Sequence, residues 1–466
     1  MKMDAQHLQV PETPLTNPAS QTELSERLAQ ARLLPDSDGL LETLSLAARL
    51  NRCAMTLLER QRALQSLAEQ YRHYVASAGD DEHLSRLFLQ LSDELASGFK
   101  RLLLQVLQGH KPSHPHLTWC LYMAQHFLAH TLMRHYQHYQ EPPAHLWRDS
   151  HLLYWLGEQH ACLDDQVAAA FRPVAANSLR ALYQQMLLMA LSDPFHLTGR
   201  ECAQLFSALA PVAGNARLIE WDVDDDREGP LIDLRLGCAY LPYPEKPTDS
   251  SPHARRLELG ALMLAVEEPA PLRSHTEQVL LNRVISHWQR TEQRSHPRTP
   301  QNSGCKLAIG LLPIHAQLLE KRPACATARM LDSSAGGARL VCTGDATHLQ
   351  VGQLVLLMGD ASTLAMVCWL HRNDQGMHLG LRYLKGQAKA AWLRRTPSAQ
   401  AHPAVLQSTP NPGQGWHHGL WITRDQFQEM EKLWLQLAQS HSQTTLLLAN
   451  ANLGSPLVSR HRLELD

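Results

Sequence analysis

The feature that most constrains this chain is a switch in the spacing of its apolar residues. From Gln21 to about Pro211 they recur every three or four positions, as in Leu46-Leu50 and Leu84-Leu87-Leu91-Leu95-Phe99. That period places them on one face of a helix. Breaks fall at Pro35 to Gly39, Gly79-Asp80-Asp81, Lys111 to Pro115 and Pro142-Pro143, which predicts seven or more helices. No repeat of fixed length aligns, so a regular solenoid is not expected. After about residue 300 short β-type runs take over: Cys305 to Ile309, Cys325 to Leu331, Ala338 to Cys342, Val351 to Leu357 and Met377 to Leu384. A chain of 466 residues holds two or three domains. The expected fold is multidomain α+β.

Between these parts, Leu218 to Val223 and Leu231 to Leu236 read as two strands around an acidic turn, Asp224 to Gly229, and Leu272 to Arg290 as a helix. Asp222, Asp224 and Asp226 alternate as in a calcium loop, but Arg227 and Asp233 stand where an EF-hand needs Gly and Glu. A solvated hairpin tip is the expectation. Downstream, Thr409 to His418 reads as a linker, and Leu420-Trp421-Ile422, Thr444 to Ala449 and Leu457 to Leu465 as strands. Phe427 to Leu437 fits strand or helix.

Composition excludes several function classes. The formal net charge is −2, with 43 Lys and Arg against 45 Asp and Glu. No basic excess is present to hold nucleic acid by counterion release. The cysteines are scattered from Cys53 to Cys368 without a Cys-x-x-Cys pair, which argues against a disulfide framework or a zinc site by spacing and favours a reducing compartment. No apolar run approaches the roughly 20 residues of a membrane helix. No signal peptide is visible in Met1 to Ser20, which is expected to be a disordered tail, and the expected location is cytoplasmic. Gly-x-Ser-x-Gly, a phosphate-binding loop and Gly-x-Gly-x-x-Gly are absent, so an enzyme is not expected.

Histidines are abundant, 27 in all. His126 and His130 stand four apart on a helix, a spacing that can ligate zinc, but no Glu lies between them to act as base. Ordinary core or surface histidines are the preferred reading, and no metal is expected. Tyr136, Tyr139, Pro142-Pro143, Trp147, His151, Tyr154 and Trp155 form an aromatic cluster. It reads as a packed corner or as a groove for a protein partner.

One stretch carries ligand chemistry. Asp332, Ser334 and Gly337 fit Asp-x-Ser-x-x-Gly, and upstream Arg294 and Arg298 fit Arg-x-x-x-Arg. Arg290 and Arg294 fit the second pattern too. The register Arg294/Arg298 is preferred, because Pro297-Arg298 runs directly into the segment before the first strand, and Arg290 is then an added contact. A guanidinium fork can meet O6 and N7 of guanine, pair with a phosphate, or stack on a purine. An aspartate can accept from guanine N1 and N2, and glycines let the backbone approach a ligand. The same residues would also make an ordinary turn and a polar linker.

In this order, with strands behind them and Leu379-Gly380-Leu381-Arg382-Tyr383-Leu384 closing the run, these motifs resemble the signature of PilZ domains, which bind cyclic di-GMP. Long PilZ proteins with a helical N-terminal half also carry a stretch similar to Tyr139-x-x-Pro142-Pro143, Trp147 and His151-x-x-Tyr154. The resemblance implies a PilZ-like antiparallel β-barrel and a cyclic di-GMP site at Arg290, Arg294, Arg298, Asp332, Ser334 and Gly337. It departs from the family in the long gap from Arg298 to Asp332, where Leu311 to Lys321 reads as an insertion. The expected organisation is a tail over 1–20, a helical domain over 21–212, a mixed connecting region over 213–290, the barrel with its arginine arm over 291–398, and a small C-terminal β module over 399–466. The implied function is a receptor that passes ligand occupancy to an unknown protein partner, through the helical half or the aromatic cluster around Trp147, by domain reorientation. The alternative is a ligand-free adaptor that works by protein–protein contact.

Overall fold

The structure is a computed structural model that describes residues 3–12, 21–77, 82–109, 112–167, 176–222, 229–241, 251–267, 274–288, 296–320, 326–342, 349–359, 362–411, 415–428, 430–438, 440, 443–455 and 457–465. The chain forms two compact units. One holds Met1–Pro194 and Gly199–Arg290, the other Phe195–Thr198 and Thr291–Asp466.

The first unit is built from α1 (Gln21–Ala31), α2 (Asp36–Asn51), α3 (Leu57–Ser77), α4 (Glu82–Gln108), α5 (His114–Gln137), α6 (Ala144–Gln159), α7 (Leu179–Leu191) and α8 (Gly199–Leu209). Helix α5 is its axis. Its residues from Leu117 to Met133 are buried with the exception of Trp119, as expected of a helix surrounded by others. Phe127 stacks on Phe99 of α4 at 5.5 Å, and Tyr71 of α3 meets Phe88, Phe127 and His130 edge-on. Residues 3–12 differ from the disordered tail expected of them. Met3 and Leu8 are buried, and the Gln9 amide donates to Asp149 at 3.1 Å.

Residues 213–290 belong to this first unit. They contribute β1 (Arg217–Glu220), β2 (Leu231–Asp233), β3 (Ala254–Glu258), α9 (Gly260–Glu267) and α10 (His275–Trp288). The expected hairpin of β1 with β2 does not form. Each pairs instead with β3, in the order β1-β3-β2. Of the expected solvated tip, Asp224 to Glu228 lie outside the described residues.

The second unit holds two closed six-stranded antiparallel barrels. The first uses β4 (Thr299–Ile309), β5 (Ala326–Ser334), β6 (Gly337–Cys342), β7 (Leu354–Met358), β8 (Thr363–Asn373) and β9 (Gly376–Tyr383). The second uses β10 (Gln387–Arg394), β11 (His402–Asn411), β12 (Gly415–Thr423), β13 (Lys432–Leu437), β14 (Gln443–Gly454) and β15 (Val458–Leu465). The closed orders are β4-β5-β6-β9-β8-β7 and β10-β11-β12-β15-β14-β13. Counted from its own first strand, each barrel reads 1-2-3-6-5-4. The second barrel is a topological repeat of the first. It begins earlier than the expected boundary near residue 398, and the stretch read as a linker is mostly the β11–β12 hairpin.

The expected insertion is helix α11 (Leu311–Glu320), and it joins the barrels. Leu311 and Ile314 of α11 share one buried cluster with Leu354, Leu356, Leu364 and Met366 of the first barrel and Val405, Trp421 and Val458 of the second. His315 contacts the Ala391 carbonyl through Nε2 at 3.0 Å, edge-on to Trp392. Strand alternation explains the arrangement. Ala404, Leu406, Leu420 and Ile422 fill the interior of the second barrel, so Val405 and Trp421 between them point outward into the joint.

Buried histidines give the helical unit a pH dependence. Burial holds His126 and His151 at about 4, below the ordinary value, and also pushes His130 well below it. His151 is fixed between the Tyr183 hydroxyl at 2.6 Å and the Cys238 carbonyl at 2.8 Å. A base with a depressed native pKa binds its proton in the unfolded chain first, so stability is full above the unfolded value and falls as pH drops toward the native one. Denaturant titrations at pH 7, 5.5 and 4 are expected to show a progressive loss, up to about 3 kcal/mol for each such histidine.

Candidate functional site

The first barrel brings Arg298 to the Asp332-to-Gly337 motif. Strands β4 and β5 pair so that Thr299 faces Ser333 and Pro300 faces Asp332. This puts Arg298, immediately before β4, beside the end of β5. Its Nη1 donates to Asp332 Oδ1 at 2.7 Å, with both side chains partly exposed. The sequence separation of 34 residues is closed by strand pairing. Arg290 and Arg294 lie outside the described residues.

Asp332 and Ser334 end β5, Ala335-Gly336 make the turn, and Gly337 starts β6. The Ser334 hydroxyl accepts from the Gly336 amide at 3.3 Å and donates to the Gly337 carbonyl at 3.4 Å, which holds the turn tight. A Cβ on Gly337 would sit 2.0 Å from the Leu381 carbonyl oxygen, so only glycine lets β6 approach β9 here. A Cβ on Gly336 would meet the His296 ring at 3.3 Å, so His296, two residues before Arg298, also packs on this turn.

Sequence reading missed further residues on the same face. Register places Asp332 of β5 opposite Arg339 of β6, Arg339 opposite Gly380 of β9, and Gly380 opposite Trp369 of β8. These four lie in one row across the outside of the barrel. The Trp369 indole covers Gly380, its Nε1 lying 1.9 Å from where a Cβ would stand. The Arg339 guanidinium lies 6.0 Å from the Trp369 ring and 3.5 Å from His378 Nδ1. Arg329 and Arg382, both exposed, flank the row. Burial, with Arg339 nearby, lowers the pKa of His378 and favours its neutral form. The face can therefore supply guanidinium forks, one carboxylate acceptor, a hydroxyl and a flat aromatic surface, which are the groups that bind phosphates and purines. Strands are about 4.8 Å apart, so the row from Asp332 to Trp369 spans roughly 14 Å.

The equivalent face of the second barrel, on β11, β12 and β15, is covered. Val405, Trp421 and Val458 are packed in the joint, and Gln407 is held by Trp421 Nε1 at 2.8 Å and Arg460 Nε at 2.9 Å.

The aromatic cluster, read as a packed corner or as a partner groove, is largely core. Tyr136, Tyr139, Trp147, His151 and Tyr154 are all buried, so the rings around Trp147 form a packed corner and not an open groove. His126 and His130 are likewise buried, their rings 4.6 Å apart, with His130 Nδ1 at 3.2 Å from the Tyr71 hydroxyl. No helix among the described residues is long and apolar enough to cross a membrane.

Residues 22–222 match the family model described as "Cyclic-di-GMP receptor FimW, N-terminal domain". The match covers the helical unit from α1 to β1 and stops short of both barrels. It supports a cyclic di-GMP receptor independently of the barrel motifs. No curated protein matches the chain.

Gly337→Ala is expected to cost about 1–3 kcal/mol through overpacking between β6 and β9. Thermal unfolding monitored by circular dichroism reads the loss, and an unchanged midpoint would contradict the close approach assigned to Gly337.

Proposed function

We propose that this protein is a cyclic di-GMP receptor of PilZ type, with its ligand face on the outside of β5, β6 and β9 in the first barrel. The observation that carries the reading is the meeting of Arg298 with Asp332 beside the Ser334–Gly337 turn. The match of the helical unit to a cyclic di-GMP receptor domain supports it from outside the barrel.

In this reading Asp332 accepts from guanine N1 and N2, and Arg298 leaves Asp332 to take a phosphate or the guanine O6/N7 edge. Ser334 and the glycine turn line the ligand. Arg290 and Arg294 add further contacts to the ligand. They lie where the chain passes from the first unit to the second, so a ligand that recruits them acts on that segment. Occupancy then passes to a protein partner as a change in the units' relative orientation, the two-state element being the arginine arm. The protein acts as a cytoplasmic receptor without catalysis.

Calorimetric titration with cyclic di-GMP, with GTP and cyclic AMP as controls, tests the reading. Selective binding is expected, and Arg298→Ala should weaken it about 10- to 100-fold, the worth of charged hydrogen bonds of about 1.5–3 kcal/mol. A greater loss with Arg290→Ala than with Arg298→Ala would move the arginine register. Absence of binding by folded protein would leave the adaptor reading.

A further inference from the structure

We propose a second, separate site in the helical unit, for a borderline divalent cation of the zinc type, held by Cys162 and His114 with Asp165 behind the imidazole. His114 is the first residue of α5, while Cys162 and Asp165 lie in the segment after α6. One donor atom from each lies within 4.8 Å of the other two. Among the described residues no other group of three or more His, Cys, Asp or Glu comes together in this way.

The geometry goes beyond proximity. Cys162 Sγ is 3.8 Å from His114 Nδ1. Two tetrahedral ligands of zinc, a nitrogen at about 2.0–2.1 Å and a sulfur at about 2.3 Å, stand roughly 3.6 Å apart. The thiol and the ring nitrogen are thus spaced as two ligands of one ion. On the far side of the ring, His114 Nε2 meets Asp165 Oδ2 at 2.7 Å. A carboxylate on the second nitrogen fixes the ring orientation and the tautomer that turns the Nδ1 lone pair toward the ion. Asp165 is itself held, because the Thr118 hydroxyl, one turn along α5 from His114, donates to the same oxygen at 2.8 Å.

Exposure fits an open site. Cys162 is buried, whereas the His114 and Asp165 side chains are 51% and 42% exposed. An ion would rest on the buried sulfur with its remaining positions toward water, unlike a closed structural site with four protein ligands. A sulfur and nitrogen donor pair selects zinc-like ions over magnesium or calcium, which take oxygen. Binding displaces the thiol proton: Cys162–SH and M²⁺ give Cys162–S⁻–M²⁺ and H⁺.

The test uses the full chain, stripped with a chelator, dialysed and titrated with Co²⁺ and then Zn²⁺. Binding of one Co²⁺ should give a sulfur-to-cobalt charge-transfer band in the near ultraviolet, bleached by Zn²⁺. Cys162→Ser should abolish the band while leaving the circular dichroism spectrum intact. Asp165→Asn should keep the band but weaken binding about 10- to 100-fold, the usual cost of losing a carboxylate behind a ligating histidine. Cobalt binding without the band, or a band that survives Cys162→Ser, would overturn the proposal and assign the metal to the chain's other histidines or cysteines. So would the absence of binding by folded protein. Equal affinity in Asp165→Asn would remove Asp165 from its role.

Discussion

A closed barrel leaves no free strand edge, and this constraint shapes the second unit. The strands spend most of their ladder hydrogen bonds inside the barrel, so little edge backbone is left to hold a small ligand. Alternation sends every second residue inward to fill the core. What remains for function is the outer face and the turns at its ends. In the first barrel that face carries Asp332, Arg339, Gly380 and Trp369 in one row, with Arg298 paired to its end. In the second barrel the same strands in the same order turn Val405, Trp421 and Val458 into the joint. Two barrels of one topology have thus put equivalent faces to different uses, one polar and one packed.

Helix α11 makes that division stable. It is inserted between β4 and β5, and its apolar residues complete a cluster drawn from both barrels. Ser455 of the second barrel adds a buried hydrogen bond to the Gly352 carbonyl at 2.7 Å. The face of β5, β6 and β9 is left to the arginines. Gly337 then fixes how closely β6 and β9 run, and Gly380 makes room for the Trp369 indole.

Local chemistry was legible in the sequence, and long-range pairing was not. The Asp332-to-Gly337 turn could be found because its residues act within one hairpin. The helical half could be read because its period is local too. Arg339 and Trp369 carry no motif, and only strand register sets them beside Asp332. The Thr409–His418 stretch looked like a linker by its Pro and Gly content, but its described residues, 409–411 and 415–418, belong to β11 and β12, which pair with each other. The hairpin expected of β1 and β2 failed because β3, a strand with Arg255 and Arg256 buried in it, took the place between them. His114 and Cys162 are 48 residues apart, beyond any spacing rule for a metal site. The Trp147 cluster shows the opposite limit: aromatic residues can be counted in a sequence, but whether they face solvent is decided by packing.

The central claim is that the first barrel's outer face, and not its repeat, is the receptor surface. Amide hydrogen exchange of the full chain with and without cyclic di-GMP tests this most directly. The account predicts slower exchange in segments around Arg298, Asp332–Arg339 and His378–Arg382, and none at Val405–Gln407 or Gly419–Trp421. Protection confined to the second barrel, or to neither, would contradict it.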